Sequence, residues 1–251
     1  MQMQSKTRGC EENNCFVHLI IPCEINVTSA YPKEWISIFE GRYYFGDTIQ
    51  RSYLVSFNGG KEWKIVPYSD FNVLVLNHGG VIFGINKVSN EIIYSLDEGQ
   101  TFYHTNIYQD KETILAMLQN GIFQKEYVTI LSSTEDKKSW VFTHINFSNI
   151  LSDFNFNIDR KCDDKDYSTW FIPRYNGICY QGRETTYMKK NIGSLCVDER
   201  INDTVISTKN CPCSFEDFHC YAKLKSDSCE IQPIDFENTS EYADFCISDG
   251  M

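Results

Sequence analysis

The chain has 251 residues, of which 34 are acidic and 23 are basic, so its formal net charge is −11. Because nucleic-acid binders need clustered positive charge to neutralise phosphates, this balance argues against nucleic acid as a partner. Aromatic residues make up 14% of the chain. This fraction excludes a disordered acidic chain as the main state, because it provides enough apolar surface to build a core.

No targeting or membrane-spanning segment is evident in the sequence. Residues 1–9 are polar and lack the apolar stretch and cleavage site of a signal peptide. The longest apolar runs, 16–22 and 71–76, are far shorter than the roughly 20 residues that cross a bilayer. We therefore expect a mature protein, or one whose true start lies upstream, that meets a membrane only through a segment outside this sequence.

The region from residue 15 to residue 150 is predicted to consist of short β-strands separated by turns. The predicted strands are rich in β-branched and aromatic residues and are bounded by Gly, Asn and Asp; they cover 15–21, 53–57, 71–76, 80–85, 92–95, 127–131 and 141–145. Helical periodicity is weak, and its single candidate is 111–119. The expected fold class of this region is all-β.

An eight-residue pattern, S-x-D-x-G-x-T-[WF], recurs along the same region. The clearest copy contains Ser95, Asp97, Gly99 and Phe102, an earlier copy contains Ser56, Asn58, Gly60 and Trp63, and a decayed third copy keeps Ser133 and Trp140. The first residues of the three copies are 39 and 38 residues apart. A repeat of about forty residues, with four strands in each unit, indicates the blades of a β-propeller.

The pattern is the Asp box, and its chemistry is that of a hairpin turn. The Ser hydroxyl and the Asp or Asn side chain can bond turn backbone groups, and the Gly can take a positive φ. We expect Ser95 and Asp97 to bond backbone groups near Gly99, with Trp63 and Phe102 buried between strands. The carboxylates are therefore interpreted as structural, and no catalytic residue, metal ligand or cofactor is predicted.

The eleven cysteines are unevenly distributed. Three lie near the start, none occurs between 24 and 161, and eight crowd the last ninety residues; they are Cys10, Cys15 and Cys23, then Cys162, Cys179, Cys196, Cys211, Cys213, Cys220, Cys229 and Cys246. This break predicts a boundary near residue 160, with the blades in 1–160 and a cysteine-rich module in 161–251. Crosslinks would replace a large core in that module.

The cysteines are compatible with two kinds of structure, disulfides or a zinc site. The spacing Cys211-x-Cys213 is not the usual zinc pairing, and no His follows at finger spacing, so disulfides are favoured. Four glycosylation sequons agree with an oxidising compartment; their acceptors are Asn26, Asn146, Asn202 and Asn238.

The cysteine-rich tail resembles that of the sortilin family, whose vacuolar-protein-sorting-ten domain has a ten-bladed propeller followed by a ten-cysteine module. Cys162 with Asp166, Tyr167 and Trp170, then Cys179 with Gly182, then Cys196, run in the family's order, and the stretch 211–220 resembles its C-x-C-x-x-x-[DE]-[FY]-x-C signature. Upstream, Cys10 and Cys15 with His18 resemble a small disulfide loop of a late blade, and 147–151 resembles the segment that closes the last blade. The resemblance covers about three blades and eight of the ten module cysteines.

The resemblance implies a set of disulfides and a receptor function. The implied pairs are Cys10 with Cys15, Cys162 with Cys196, Cys179 with Cys211, and Cys220 with Cys229, whereas Cys213 and Cys246 would lack their usual partners and Cys23 has no counterpart. It also implies a lumenal region that binds soluble protein or peptide cargo for transport from the Golgi to endosomes or the vacuole. The family's peptide-binding arginine lies upstream of this region, so no ligand-binding residue is assigned.

Other interpretations remained open at this point. A sialidase also carries Asp boxes, but it needs an arginine cluster, and only Arg42 and Arg51 occur between residues 9 and 159. A truncated or soluble fragment without sorting activity was the third possibility, because three blades cannot close a propeller. The histidines could titrate between pH 5 and 7, although each was expected to be an ordinary packed or surface residue; they are His18, His78, His104, His144 and His219.

Overall fold

Nearly all regular structure in this chain is antiparallel β-sheet. The computed structural model describes residues 2–4, 15–22, 24–45, 48–67, 73–86, 89, 91–106, 112–119, 126–151, 160–174, 177–200, 205–212, 223–224 and 231–232. The chain divides into two compact units: Met1–Ile21 with Asn26–Tyr167 and Lys190–Asn202, and Pro22–Ile25 with Ser168–Lys189 and Asp203–Met251. The boundary expected near residue 160 stays a prediction.

The first sheet of the first unit has five strands in chain order. They are β1 (Gln2–Gln4), β2 (Cys15–Ile20), β3 (Ser37–Phe45), β4 (Thr48–Ser56) and β5 (Lys64–Val66), all paired antiparallel. A short helix, α1 (Val27–Ala30), precedes β3. Ala30, Phe39, Leu54 and Trp63 form the buried cluster of this sheet, because alternate strand residues face the same side.

Two further antiparallel meanders follow in the same unit. The second sheet contains β6 (Leu74–Leu76), β7 (Val81–Asn86), β8 (Glu91–Ser95) and β9 (Tyr103–Asn106), with a 3₁₀ turn, Asn77–Gly79, between its first two strands. The third contains β10 (Glu112–Gln119), β11 (Tyr127–Thr134) and β12 (Trp140–Asn146). Three consecutive meanders in chain order are the arrangement expected of successive propeller blades.

The second and third sheets pack face to face through one apolar core. Phe83 and Ile85 of β7 belong to it, as do Val128 and Ile130 of β11, and all four are fully buried. Phe147, just after β12, is in the same cluster and meets Phe83 edge to face, with ring centroids 5.8 Å apart. The residues after the last strand therefore pack into the core.

The second unit contains most of a three-stranded sheet and one hairpin. The sheet is β13 (Tyr167–Phe171), β14 (Arg183–Lys190) and β15 (Val205–Asn210), and the hairpin is β16 (Lys223–Leu224) with β17 (Ile231–Gln232). The ring centroids of Trp170 and Tyr187 are 5.6 Å apart. The disulfide Cys179–Cys211 links this unit internally.

The all-β fold class is confirmed, and each predicted strand has an observed counterpart with adjusted bounds. The one weak helical candidate, 111–119, is not helical in its described part, because Glu112–Gln119 forms β10. Its residues pair with β11 along their whole length, with a bulge between Ile114 and Ala116. Tertiary pairing and burial of Ile114 outweigh the weak helical propensity of this sequence. Among the described residues, no helix is long and apolar enough to cross a membrane.

Candidate functional site

The second Asp box folds into its own turn. The Ser95 hydroxyl donates to Asp97 Oδ1 at 2.8 Å, and the Gly99 N–H donates to Ser95 Oγ at 2.9 Å. Asp97 Oδ1 also accepts from the backbone N–H groups of Gln100 and Thr101 at 3.0 and 2.8 Å. Burial raises the pKa of Asp97, but the hydrogen bonds from Thr101 and Ser95 outweigh it and hold the pKa below its ordinary value. The carboxylate organises the hairpin.

The first copy repeats this geometry with an amide in place of the carboxylate. Ser56 Oγ accepts from the Gly60 N–H at 2.9 Å, and Asn58 Oδ1 accepts from the Glu62 N–H at 2.9 Å. Trp63 is buried, and its indole N–H donates to the carbonyl of Gly60. The expectation that both motif aromatics are buried is wrong for Phe102, which is only half-buried. The strand that follows it, β9, is exposed along its length and lies at the sheet edge.

The third copy is displaced by one residue from the predicted register. Thr134, not Ser133, donates its hydroxyl to an acidic side chain two positions on, Asp136, at 2.6 Å. Thr134 is also the last residue of β11, just as Ser56 and Ser95 end β4 and β8. With this register the copies begin at 56, 95 and 134, exactly 39 residues apart each time.

Trp140 shows the consequence of that shift. It is the aromatic that the decayed third copy keeps in the sequence, and it is 65% exposed. Because side chains alternate between the faces of a strand, a slip of one residue moves a side chain to the opposite face. Val141 occupies the inward position and is half-buried. Ser133 is buried in β11, outside the turn that it was expected to cap.

Two of the expected cysteine pairs are bonded in the structure. Cys162 is joined to Cys196 with Cα atoms 5.0 Å apart, and Cys179 to Cys211 with Cα atoms 6.0 Å apart. Neither of the other two expected pairs can be assessed, because Cys10, Cys220 and Cys229 lie outside the described residues, as do Cys23, Cys213 and Cys246. The zinc interpretation required Cys211 as a free thiolate ligand. In the structure the sulfur of Cys211 is bonded to that of Cys179.

A buried polar cluster, which the sequence did not predict, joins the start of the cysteine-rich region to the second sheet within the first unit. Asn77 is its centre: its Nδ2 donates to the carbonyl of Cys196 at 2.8 Å, and its Oδ1 accepts from the Asp198 N–H at 2.7 Å. The ammonium of Lys190 donates to the same Cys196 carbonyl at 2.8 Å. Asn77 is 1% exposed, so its side-chain amide provides hydrogen bonds to a backbone carbonyl and a backbone N–H in the interior, where unpaired polar groups are costly.

Asp198 and Arg200 form the charged part of this cluster. Asp198 is 1% exposed, and its two oxygens accept from Arg200 at 2.8 and 2.6 Å. Burial raises the pKa of Asp198, but the hydrogen bond from Arg200 and the nearby charge of His78 outweigh it and lower the pKa. The Arg200 guanidinium also lies 3.9 Å from the ring centroid of Tyr167. Burial, with a further contribution from Asp198, raises the pKa of Tyr167 to about 12.

A second ion pair lies beside the first disulfide. Arg160 donates to both oxygens of Asp166 at 2.7 and 2.8 Å, and Asp166 is 4% exposed. The Cys162 N–H donates to the carbonyl of Val197, and the Val197 N–H donates to the carbonyl of Arg160. The charged pairs and the disulfide thus hold 160–167 and 190–200 as one folded layer.

Lys190 is the buried amine of the cluster. It is 5% exposed, and burial lowers its pKa to about 8, although the carboxylates of Asp198 and Asp166 act in the opposite direction. It borders a small cavity of about 10 Å³ that is lined also by His78, Glu98 and Ser194. This volume is below the roughly 300–1,000 Å³ of typical ligand sites, so we interpret the cluster as a structural clamp.

One triplet of candidate metal ligands occurs in the described part of the chain: Cys162, Asp166 and Cys196. Both sulfurs are bonded to each other, and Asp166 is paired with Arg160. Metal binding needs free thiolates, so these residues do not fit a metal site.

Except for His78, which lies beside Asp198 and Lys190, the remaining candidate residues lie apart from the cluster. His18, His104 and His144 are exposed, His78 is buried, and His219 lies outside the described residues. Arg42 and Arg51 face each other across β3 and β4, and Arg51 is paired with Glu40. Because Asp97 is used within its turn and these arginines lie on another sheet, the geometry does not match a sialidase site. One feature of the sequence could have pointed to the buried polar cluster. Asp166 and Asp198 each lie within four residues of a cysteine of the Cys162–Cys196 disulfide.

These observations define a class of protein: Asp-box β-sheets of the propeller type followed by a disulfide-linked region. A family model described as "Sortilin, neurotensin receptor 3, C-terminal" matches residues 123–250. The chain therefore belongs to the sortilin family, a family of sorting receptors.

Individual relatives are similar along most of this chain. The human VPS10 domain-containing receptor SorCS2 is 26% identical over 247 residues, which cover 92% of this chain and 20% of that receptor. Sortilin of Rattus norvegicus is 25% identical over 94% of this chain and 30% of its own length. Vacuolar protein sorting/targeting protein 10 of Schizosaccharomyces pombe is 25% identical over 88% of this chain and 16% of its own length. The chain thus spans less than a third of the length of each of these relatives.

Proposed function

We propose that this chain is part of the lumenal region of a sorting receptor that binds soluble protein or peptide cargo for transport from the Golgi to endosomes or the vacuole. The observation on which this rests is the combination of the family match with Asp-box sheets and two disulfides in one chain. Disulfides form and persist in oxidising compartments, which supports placement on the extracytoplasmic side. The net charge of −11 permits basic cargo but does not specify it.

Sidedness is tested on the endogenous protein in sealed membrane vesicles. Protease added outside should leave the chain intact until detergent is added, and peptide mapping without reductant should recover the Cys162–Cys196 and Cys179–Cys211 crosslinks. Free thiols at these four positions together with cleavage in intact vesicles would overturn the proposal.

Binding is tested with the immobilised full chain and soluble lumenal proteins of the same cells. Bound proteins should elute when the pH is lowered from neutral to endosomal values and should be lost after reduction and alkylation of the chain. Equal recovery on the native and the reduced chain would show that the capture is non-specific and would contradict cargo binding by the folded protein.

A further inference from the structure

We infer that three cationic side chains of the first sheet, His18, Arg42 and Arg51, bind a side-chain carboxylate of an extended segment in a protein ligand. We call these three residues the cationic row. The inference rests on the proposed function and deepens it, because it names the chemistry of the cargo that this face of the sheet recognises.

The cationic row follows from the register of three neighbouring strands. His18 of β2 pairs with Arg42 of β3, and Arg42 pairs with Arg51 of β4. Directly paired residues project from the same face of a sheet, and neighbouring strands lie about 4.8 Å apart. The three side chains therefore stand side by side, and all three are exposed.

One guanidinium of the cationic row has a carboxylate partner on the same sheet. Glu40, two residues before Arg42 on the same face, accepts from Arg51 Nη2 at 2.6 Å. Among the described residues, no acidic side chain pairs with Arg42 in this way. Because like charges directly opposite each other destabilise an antiparallel pair, the placement of Arg42 beside Arg51 costs stability that a bound anion would relieve.

Apolar side chains lie next to the cationic row on the same face. Tyr44 and Ile49 form the pair two residues further along β3 and β4, about 6.8 Å from Arg42 and Arg51 in the strand direction. Ile49 is 65% exposed and Tyr44 is half-buried. Side chains two residues apart in an extended ligand have the same spacing. A Glu-x-Leu segment therefore places its carboxylate on the cationic row and its leucine on Ile49.

The charge of the whole chain restricts the kind of anion that fits this face. Arginine donates to a carboxylate through two parallel N–H groups, which makes such pairs geometrically specific. Nucleic acids and other polyanions need an extended basic surface, whereas this chain has a net charge of −11. The cationic row is a local exception to that charge, and it suits a single carboxylate that is presented beside an apolar group.

The test measures binding of a fluorescent peptide to the full, disulfide-bonded chain by anisotropy at neutral pH. The peptide contains Glu-Ser-Leu and is blocked at both ends, so that only the glutamate supplies a carboxylate. Arg42→Gln removes one cation of the row. Lys138→Gln is the matched control, because the Lys138 side chain is 81% exposed and lies in the turn between β11 and β12.

The wild-type chain should bind the peptide saturably. Arg42→Gln should weaken binding about tenfold, and so should glutamine in place of the peptide glutamate, because each change removes a charge-assisted hydrogen bond. The two changes together should cost little more than either alone, because they remove the same contact. Lys138→Gln should stay within about twofold, as expected for an independent site. The melting temperature of Arg42→Gln should not fall, because the substitution relieves a like-charge pair.

The absence of saturable binding overturns the inference, and so do equal affinities for the glutamate and glutamine peptides or fully additive losses in the double change. Any of these results leaves the proposed function intact, because capture of lumenal proteins by the immobilised chain is measured independently. Peptide binding without any capture of lumenal proteins would count against the proposed function and not against the cationic row.

Discussion

Replacing the buried carboxylate of Asp198 by an amide is the sharpest test of the clamp that joins the cysteine-rich region to the second sheet. The Asp198 side chain has 0% exposure and the Arg200 side chain 21%. In Asp198→Asn the Arg200 guanidinium loses the carboxylate that it pairs with, and the 5% exposed Lys190 loses one of its two nearby negative charges. Breaking a buried pair from one side costs about 3–5 kcal/mol, because the remaining charge stays buried without compensation.

A matched control lies one residue further along the chain. Glu199 pairs with Lys161 at 2.8 Å, but the two side chains are 57% and 68% exposed. A surface pair of this kind contributes at most about 1 kcal/mol, so Glu199→Gln should change the free energy of unfolding very little. Both substitutions remove one negative charge from neighbouring positions, and only burial distinguishes them.

Urea unfolding followed by tryptophan fluorescence measures the difference. Trp35 is fully buried in the first unit and reports its unfolding. With a slope of about 3 kcal/mol per M, the midpoint for Asp198→Asn should fall by about 1 to 1.7 M and that for Glu199→Gln by about 0.3 M or less. Equal midpoints for the two variants would refute the clamp.

The pH dependence gives a second readout of the same carboxylate. The pKa of Asp198 is lowered in the folded protein, so its stabilising contribution is fully present above the unfolded value of about 3.9 and is lost as the pH falls through the folded value. The difference in unfolding free energy between wild type and Asp198→Asn should therefore become smaller below about pH 4. A gap that stays constant at acidic pH would contradict an electrostatic origin.

Three further substitutions test the turn register, the packing and the buried amine. Thr134→Val should cost about 0.5–1.5 kcal/mol of unfolding free energy through its lost turn hydrogen bonds, whereas Glu135→Ala should stay within about 0.5 kcal/mol; the opposite order in urea unfolding would restore the register predicted from sequence. A methyl group on Gly41 would lie 2.2 Å from Leu54 Cδ1, so Gly41→Ala should lower stability by about 1–3 kcal/mol, and an unchanged melting temperature would contradict this packing. The pKa of Lys190 is about 8 in the folded protein and about 10.4 in the unfolded chain, so the unfolded chain binds more protons between these values. The unfolding free energy of the wild type should therefore rise from about pH 8 to 9.5, and this rise should be missing in Lys190→Met. Identical pH profiles for the two proteins would argue against burial of the amine.

The Asp boxes show what can be predicted from sequence. The hydrogen bonds made by the side chains of Ser95 and Asp97 connect residues at most four positions apart, so the eight-residue pattern contains all of these interactions. The register predicted for the third Asp box was wrong because two adjacent hydroxyl residues, Ser133 and Thr134, could each begin the pattern. Only the end of β11 and the inward face of β12 decide between them.

The clamp shows what cannot be predicted from sequence. Asn77 bonds backbone atoms of residues 119 and 121 positions away, and no local pattern marks an asparagine for such a role.

The sequence by itself therefore determined the all-β class, the repeat and the family, because these depend on alternation, turn chemistry and cysteine spacing, which are local or countable properties. Tertiary structure alone decided that 112–119 is a strand, that Trp140 is exposed, and that Lys190 and Asp198 are buried together. These features depend on which surfaces meet when distant segments pack, and on the cost of leaving a charge or a polar group without a partner in that interior.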